Sequence, residues 1–177
     1  MKSAKPVGLP LWRFRGSKDS LNKIWMNSSS AVIFFDGASK GNLGASRAGG
    51  LVLSPDGLTK FSFSWGLGSL SNNQAKSYSL LMATQISKEK GYKSVQIFGN
   101  SKMLIKVLNS VDNFNNSVLN IILKRIRIIL KEFEMVESFH ILQDLNSIAD
   151  ALANKVCLLP QGFLSINGAA SYFHSIL

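Results

Sequence analysis

Acidic residues are scarce in this chain: ten Asp and Glu stand against twenty Lys and Arg, giving a formal net charge of +10 and a pI near 9.9. So lopsided a balance speaks for a polyanionic partner, with nucleic acid ahead of an anionic membrane. Cysteine is all but missing. The lone Cys157 excludes an intramolecular disulfide framework and reads as a small buried apolar residue. No apolar run is long enough to span a bilayer, because the most apolar segment, Ile121 to Leu130, is broken by Lys124, Arg125 and Arg127. Met1 to Asn27 holds no uninterrupted stretch of signal-peptide length, and there are no internal repeats. These absences lead to the expectation of a soluble, intracellular protein of nucleus or cytoplasm that has no membrane partner. With 177 residues, 46% hydrophobic and 17% charged, one domain with a real core is expected.

What is present divides at Ser28-Ser29-Ser30. Residues 1–29 form a basic arm in which Lys2, Lys5, Arg13, Arg15, Lys18 and Lys23 oppose the single acid Asp19, with Trp12, Phe14 and Trp25 interleaved. Such an arm suits phosphate binding and base stacking, organelle targeting, or the remnant of a longer upstream polypeptide. Residues 30–159 read as the folded domain and 160–177 as a tail without a legible pattern.

The domain is organised around Ala31 to Gly44. Five apolar residues, Ala31 to Phe35, run into Asp36, and glycines follow at 37, 41 and 44. A run apolar on both faces is a strand buried at the centre of a sheet. Asp36 thus sits where that strand leaves the core, where a carboxylate is either a turn residue or part of a site. Ala48 to Leu53 is a second strand, and Ser54-Pro55-Asp56-Gly57 is a turn signal. Phe61, Phe63, Trp65 and Leu67 alternate with polar residues in a third strand. From Asn72 the period becomes helical, with Ala75, Tyr78, Met82 and Ile86 on one stripe, Ser71 or Asn72 as N-cap and Gly91 as the stop.

Val95 to Phe98 is a short buried strand, followed by a helix over about 102–108. A further helix carries Leu119, Ile122, Ile126, Ile129 and Phe133 on its core stripe and Lys124, Arg127 and Lys131 on a basic one, either a solvated face or a polyanion contact. Ser138 to Leu142 is a fifth strand, and Asn146 caps a helix through about Val156 with Asp150 in its first turns. The order predicts an α/β fold: a five-stranded mixed sheet, an antiparallel meander plus two parallel strands, flanked by helices.

Strand ends and helix starts meet at one edge of such a sheet, so Asp36, Asn72, Asn73, Lys76, Asn100 and Asp150 can converge. The motifs Phe35-Asp36-Gly37-Ala38-Ser39, Ser71-Asn72-Asn73-Gln74-Ala75, Phe98-Gly99-Asn100-Ser101 and Asn146 to Ala153, in this order, resemble the ribonuclease H type 1 family. The likeness is to the short form in plant retroelements and related plant proteins. It implies a ribonuclease H-like fold, and cleavage of the RNA strand of an RNA/DNA hybrid by two Mg²⁺ ions held by four carboxylates. Asp36 and Asp150 stand at two of the acidic positions; Lys76 and Asn100 stand where the family has Glu and Asp. Any metal retained would be held by Asp36, Asn100 and Asp150. Leu43 also replaces the Pro usual in the family's Gly-Asn-Pro-Gly turn.

Two Mg²⁺ ions need hard anionic oxygens around them. Asn100 keeps a neutral carbonyl oxygen, while Lys76 brings an ammonium. Hydrolysis is therefore expected to be lost or severely impaired. Lys76 either takes the place of a metal between Asp36 and Asp150 or swings out to solvent. Through the resemblance, Gly37, Ala38, Ser39, Asn72, Asn73 and Gln74 would contact the minor groove and 2′-hydroxyls of an RNA/DNA hybrid or duplex RNA, with Lys124, Arg127 and Lys131 adding charge. The rival readings are a weak metal-dependent ribonuclease H and a protein-interaction module on the same fold. His140 reads as an ordinary sheet histidine, and His174 supports no reading.

Overall fold

The computed structural model describes residues 29–41, 45–147, 163–166 and 169–172. The first three strands are β1 (Ala31–Ser39), β2 (Ala45–Leu53) and β3 (Lys60–Ser69), paired antiparallel in the order β1-β2-β3. On the other side of β1, β4 (Ser94–Gly99) and then β5 (Met135–His140) are added in parallel. This is the expected mixed sheet, with β1 central and its residues Ala31 to Gly37 buried. Residues 1–28 of the basic arm, Cys157, His174 and residues 148–156 of the expected last helix lie outside the described residues.

Two boundaries differ from expectation. The fifth strand begins at Met135, not Ser138, because Glu134 N–H donates to the Lys93 carbonyl at 2.7 Å and so opens the ladder with β4. Leu142, read as its last residue, lies beyond the ladder and is exposed. The segment read as an unpatterned tail contributes β6 (Phe163–Ile166) and β7 (Ala169–Tyr172). They extend the sheet to seven strands, order β5-β4-β1-β2-β3-β6-β7, with β6 antiparallel to β3.

Three helices are α1 (Asn72–Glu89), α2 (Lys102–Leu108) and α3 (Ser117–Leu130). Ser71 is the N-cap of α1 in a capping box: its hydroxyl accepts from Gln74 N–H, and Gln74 Oε1 accepts from Ser71 N–H. At the other end Gly91 follows the C-cap with φ +75°, a backbone state that favours glycine. α1 buries far more than one stripe. Ser77, Ser79, Thr84 and Ser87 are buried with it, each hydroxyl donating to a backbone carbonyl. One of these bonds, Ser79 Oγ to Gly49 O at 2.6 Å, ties the helix to β2. Satisfied in this way, buried hydroxyls do not carry the penalty of an orphaned polar group.

α3 runs alongside α1 in the same direction: Asn73 and Leu119 line one cavity at their starts, and Lys88 Nζ and Glu132 Oε2 pair at 2.7 Å near their ends. Leu119, Ile122, Leu123, Ile126 and Leu130 point inward. No helix among the described residues is long and apolar enough to cross a membrane.

Arg127 holds the chain between α2 and α3. Its guanidinium donates to Asn113 Oδ1 at 2.9 Å and to the carbonyls of Val107, Ser110 and Asp112 at 3.1, 3.3 and 2.7 Å. A planar fork makes this set of bonds and an ammonium does not. Arg127→Lys is expected to lower stability by about 2 kcal/mol, seen as a lower urea midpoint at an unchanged m-value.

Candidate functional site

β1, β4 and β5 are parallel, so their carboxyl ends lie at one edge of the sheet, and α1 begins at that edge. Gly37 sets how closely α1 approaches. A Cβ there would lie 2.4 Å from the Ala75 carbonyl carbon and 2.6 Å from both Ala75 O and Lys76 N. Only a residue without a side chain fits against that backbone. Ser39 N–H donates to Asn72 Oδ1 at 2.7 Å, a second tie between the end of β1 and the first turn of the helix. Since Ser71 is the cap, Asn72 and Asn73 are not needed for capping; both are exposed at the start of α1. Gln74, expected on the nucleic-acid surface, has its carbonyl oxygen taken up by the capping box.

The close contact at Gly37 delivers Lys76 to Asp36. The Asp36 carboxylate is 4% exposed as a residue; its Oδ1 accepts from Gly37 N–H at 2.8 Å and lies 3.5 Å from Lys76 Nζ. Lys76 therefore turns inward. An opposite charge at this distance is worth on the order of 4 kcal/mol at an effective dielectric near 20, offset in part by desolvation of both groups.

Asn100 follows β4 and is joined to the same edge by Asn146. The Asn146 amide Nδ2 donates to the Phe35 carbonyl at 2.9 Å and to Asn100 Oδ1 at 3.2 Å. His140 lies in the sheet as expected, the last residue of β5, and its Nε2 contacts Asn100 O at 3.2 Å at the rim of the site. Asn146 was legible in the sequence only as a helix cap. It lies at the end of a 3-10 turn, Gln143–Asn146, and holds two strand ends together across 111 and 46 positions of chain. Asp150, the second expected acid, lies outside the described residues.

The donors described here do not fit a pair of divalent ions. A cation is already at Asp36, and Asn100 Oδ1 accepts a hydrogen bond from a neutral amide. Among the described residues, no group of three His, Cys, Asp or Glu could hold a metal.

The basic stripe does not converge on this edge. Lys124 and Lys131 are exposed, but α3 carries the stripe away along α1, and its 14 residues span roughly 20 Å. Arg127 in the middle of the stripe is bonded to the loop.

The sheet order, with Asp36 towards the end of β1, agrees with the ribonuclease H-like fold that the sequence motifs resemble. The family model described as "Reverse transcriptase-like" matches residues 34–156, well over half of the chain. The chain belongs to the ribonuclease H type 1-like family. Ribonuclease HI of Halobacterium salinarum is 31% identical over 122 residues, covering 69% of this chain and 61% of that protein. The solved structure of RNase H1 from the same archaeon superposes with a TM-score of 0.65 at 30% identity, over 71% of this chain and 95% of that one. An Arabidopsis thaliana protein named for ribonuclease H is 27% identical over 142 residues, 80% of this chain and 23% of its own length. The chain thus spans about three fifths of the first relative and under a quarter of the second. LC11-RNase H1, solved in complex with an RNA/DNA hybrid, shares the fold with a TM-score of 0.64 at 24% identity, over 71% of this chain and 94% of that one.

Proposed function

We propose that this domain binds RNA/DNA hybrid or duplex RNA and is catalytically dead or severely impaired. The observation that carries the reading is the Lys76 ammonium 3.5 Å from Asp36, at the position where the family resemblance places a metal-binding carboxylate. The ion pair neutralises the carboxylate that a metal would use and leaves the site closer to tolerating a phosphate. Recognition falls to the backbone of Gly37, Ala38 and Ser39 and to the side chains of Asn72 and Asn73, which stand together beside the first turn of α1. Amide groups in a shallow minor groove can reach 2′-hydroxyls, the groups that mark a strand as RNA. LC11-RNase H1, bound to RNA/DNA hybrid in its solved complex, supports the hybrid as substrate class. Lys124, Lys131 and the basic arm would add a sequence-independent electrostatic term.

The test uses a labelled RNA/DNA hybrid, with binding and cleavage followed on the same sample in Mg²⁺, Mn²⁺ and chelator. Binding is expected in all three, with no cleavage, and affinity should fall at least about tenfold between roughly 50 and 200 mM salt. Metal-dependent cleavage abolished by Asp36→Asn would establish a working ribonuclease H and overturn the reading. An affinity insensitive to salt would remove the electrostatic part.

A further inference from the structure

The outward face of α3 is apolar where a solvated helix is polar. Val118, Ile121 and Ile128 are 46, 63 and 54% exposed, and with Arg125 they occupy positions spaced by three, four and three residues. That spacing puts all four on a single seam, the pattern by which one helix receives another. Beside Ile128 lies a cavity of about 230 Å³ lined by Leu81, Gln85, Arg125, Ile128 and Ile129, at the junction of α1 and α3. The seam is thus continuous with a recess able to receive one large side chain.

Charge selects the occupant. Lys124 and Lys131 are exposed on the same helix and its C-cap and Arg125 lies within the seam, while the two nearby acids are engaged, Glu132 with Lys88 and Glu89 Oε1 accepting from Gln85 Nε2 at 3.1 Å. The fringe is therefore positive. A second copy of a chain of net charge +10 would set like charges together, and so would the basic arm of residues 1–29. Nucleic acid fits poorly for a different reason: three aliphatic side chains offer a phosphate backbone no donors. We propose that the outward face of α3 docks an acidic amphipathic helix of a partner protein, with apolar residues on the Val118–Ile121–Ile128 seam, one of them in the recess, and carboxylates against Lys124 and Lys131.

The inference does not rest on the nucleic-acid reading, and its test separates the two. The probe is a fluorescent helical peptide of about three heptads, with Leu at the a and d positions and Glu beside them, titrated with the full chain. Its counterpart carries Lys in place of Glu. The Glu peptide is expected to bind at least about tenfold more tightly than the Lys peptide, and Ile121→Asp with Ile128→Asp should weaken it by a similar factor. Both positions are more than half exposed, so the fold should hold, as far-UV circular dichroism and an unchanged Tm will show. Lys124→Glu with Lys131→Glu provides an independent variant and should narrow the preference for the Glu peptide. Hybrid binding by the Ile121→Asp, Ile128→Asp chain should change far less than its binding of the Glu peptide. The proposal is overturned if the two peptides bind alike or not at all. It is overturned equally if Ile121→Asp with Ile128→Asp leaves the Glu peptide bound as tightly as by the parent, or if sedimentation shows a dimer that the two Asp substitutions dissolve.

Discussion

Lys76→Glu combined with Asn100→Asp should give this domain cleavage of RNA/DNA hybrid in Mg²⁺. The expected gain is roughly a thousandfold or more over the parent rate. It follows from removing an ammonium whose repulsion of a metal charge is on the order of 4 kcal/mol, about three decades in rate. Together the substitutions take the formal charge summed over positions 36, 76 and 100 from 0 to −3. Asp at position 100 can still accept from Asn146 Nδ2, so the tie between the ends of β1 and β4 survives. Lys76→Glu alone sets a second carboxylate beside the buried Asp36 and should lower Tm in chelator, with Mg²⁺ restoring part of the loss. That metal-dependent Tm is a readout separate from turnover. A double variant that folds, gains stability in Mg²⁺ and still does not cut would place the defect elsewhere, with Leu43, where the family pattern has Pro, as the first suspect.

Gly37→Ala is the second large effect, and it acts on the fold before it acts on the site. The added methyl would meet the backbone of Ala75 and Lys76, not the movable end of a side chain, so α1 must shift away from β1. Overpacking against backbone belongs at the upper end of its range, about 3 kcal/mol, or roughly 6–12 °C in Tm for a chain of this size. Hybrid binding should fall with stability, because the same shift separates Ser39 N–H from Asn72 Oδ1 and parts Lys76 from Asp36. An alanine variant of unchanged Tm would mean that α1 does not seat on β1 this closely.

The elements with strong local signals were legible. β1 announced itself as an apolar run, β3 by alternation, α1 by its period and its glycine stop. β5 was misplaced because Phe139, Ile141 and Leu142 are apolar neighbours in sequence, while only pairing with β4, Val136 beside Val95, decides where the ladder begins. The hairpin of β6 and β7 was passed over although Asn167-Gly168, a strong two-residue hairpin signal, stands between its strands. Its four-residue strands are too short for periodicity to show.

At the site, the sequence supplied the identities of Asp36, Lys76 and Asn100 and the edge at which they could meet. The direction of the Lys76 side chain and the link through Asn146 were not legible. One depends on how near Gly37 lets α1 come, and the other joins residues 111 positions apart. Arg127 looked like part of a charged stripe because helical spacing reports which face a residue occupies, not which loop carbonyls fold back to meet it.

The hairpin next to β3 also bears on how this protein avoids sticking to itself. β3 carries Phe63 and Trp65, and an unpaired strand of ten residues with such side chains would be a template on which another chain could grow a sheet. β6 covers that template at Phe63, Ser64 and Trp65, and the sheet then ends on β7, only four residues long. A short terminal strand offers few backbone groups to an intruder, so the hairpin serves as a guard against edge-to-edge aggregation.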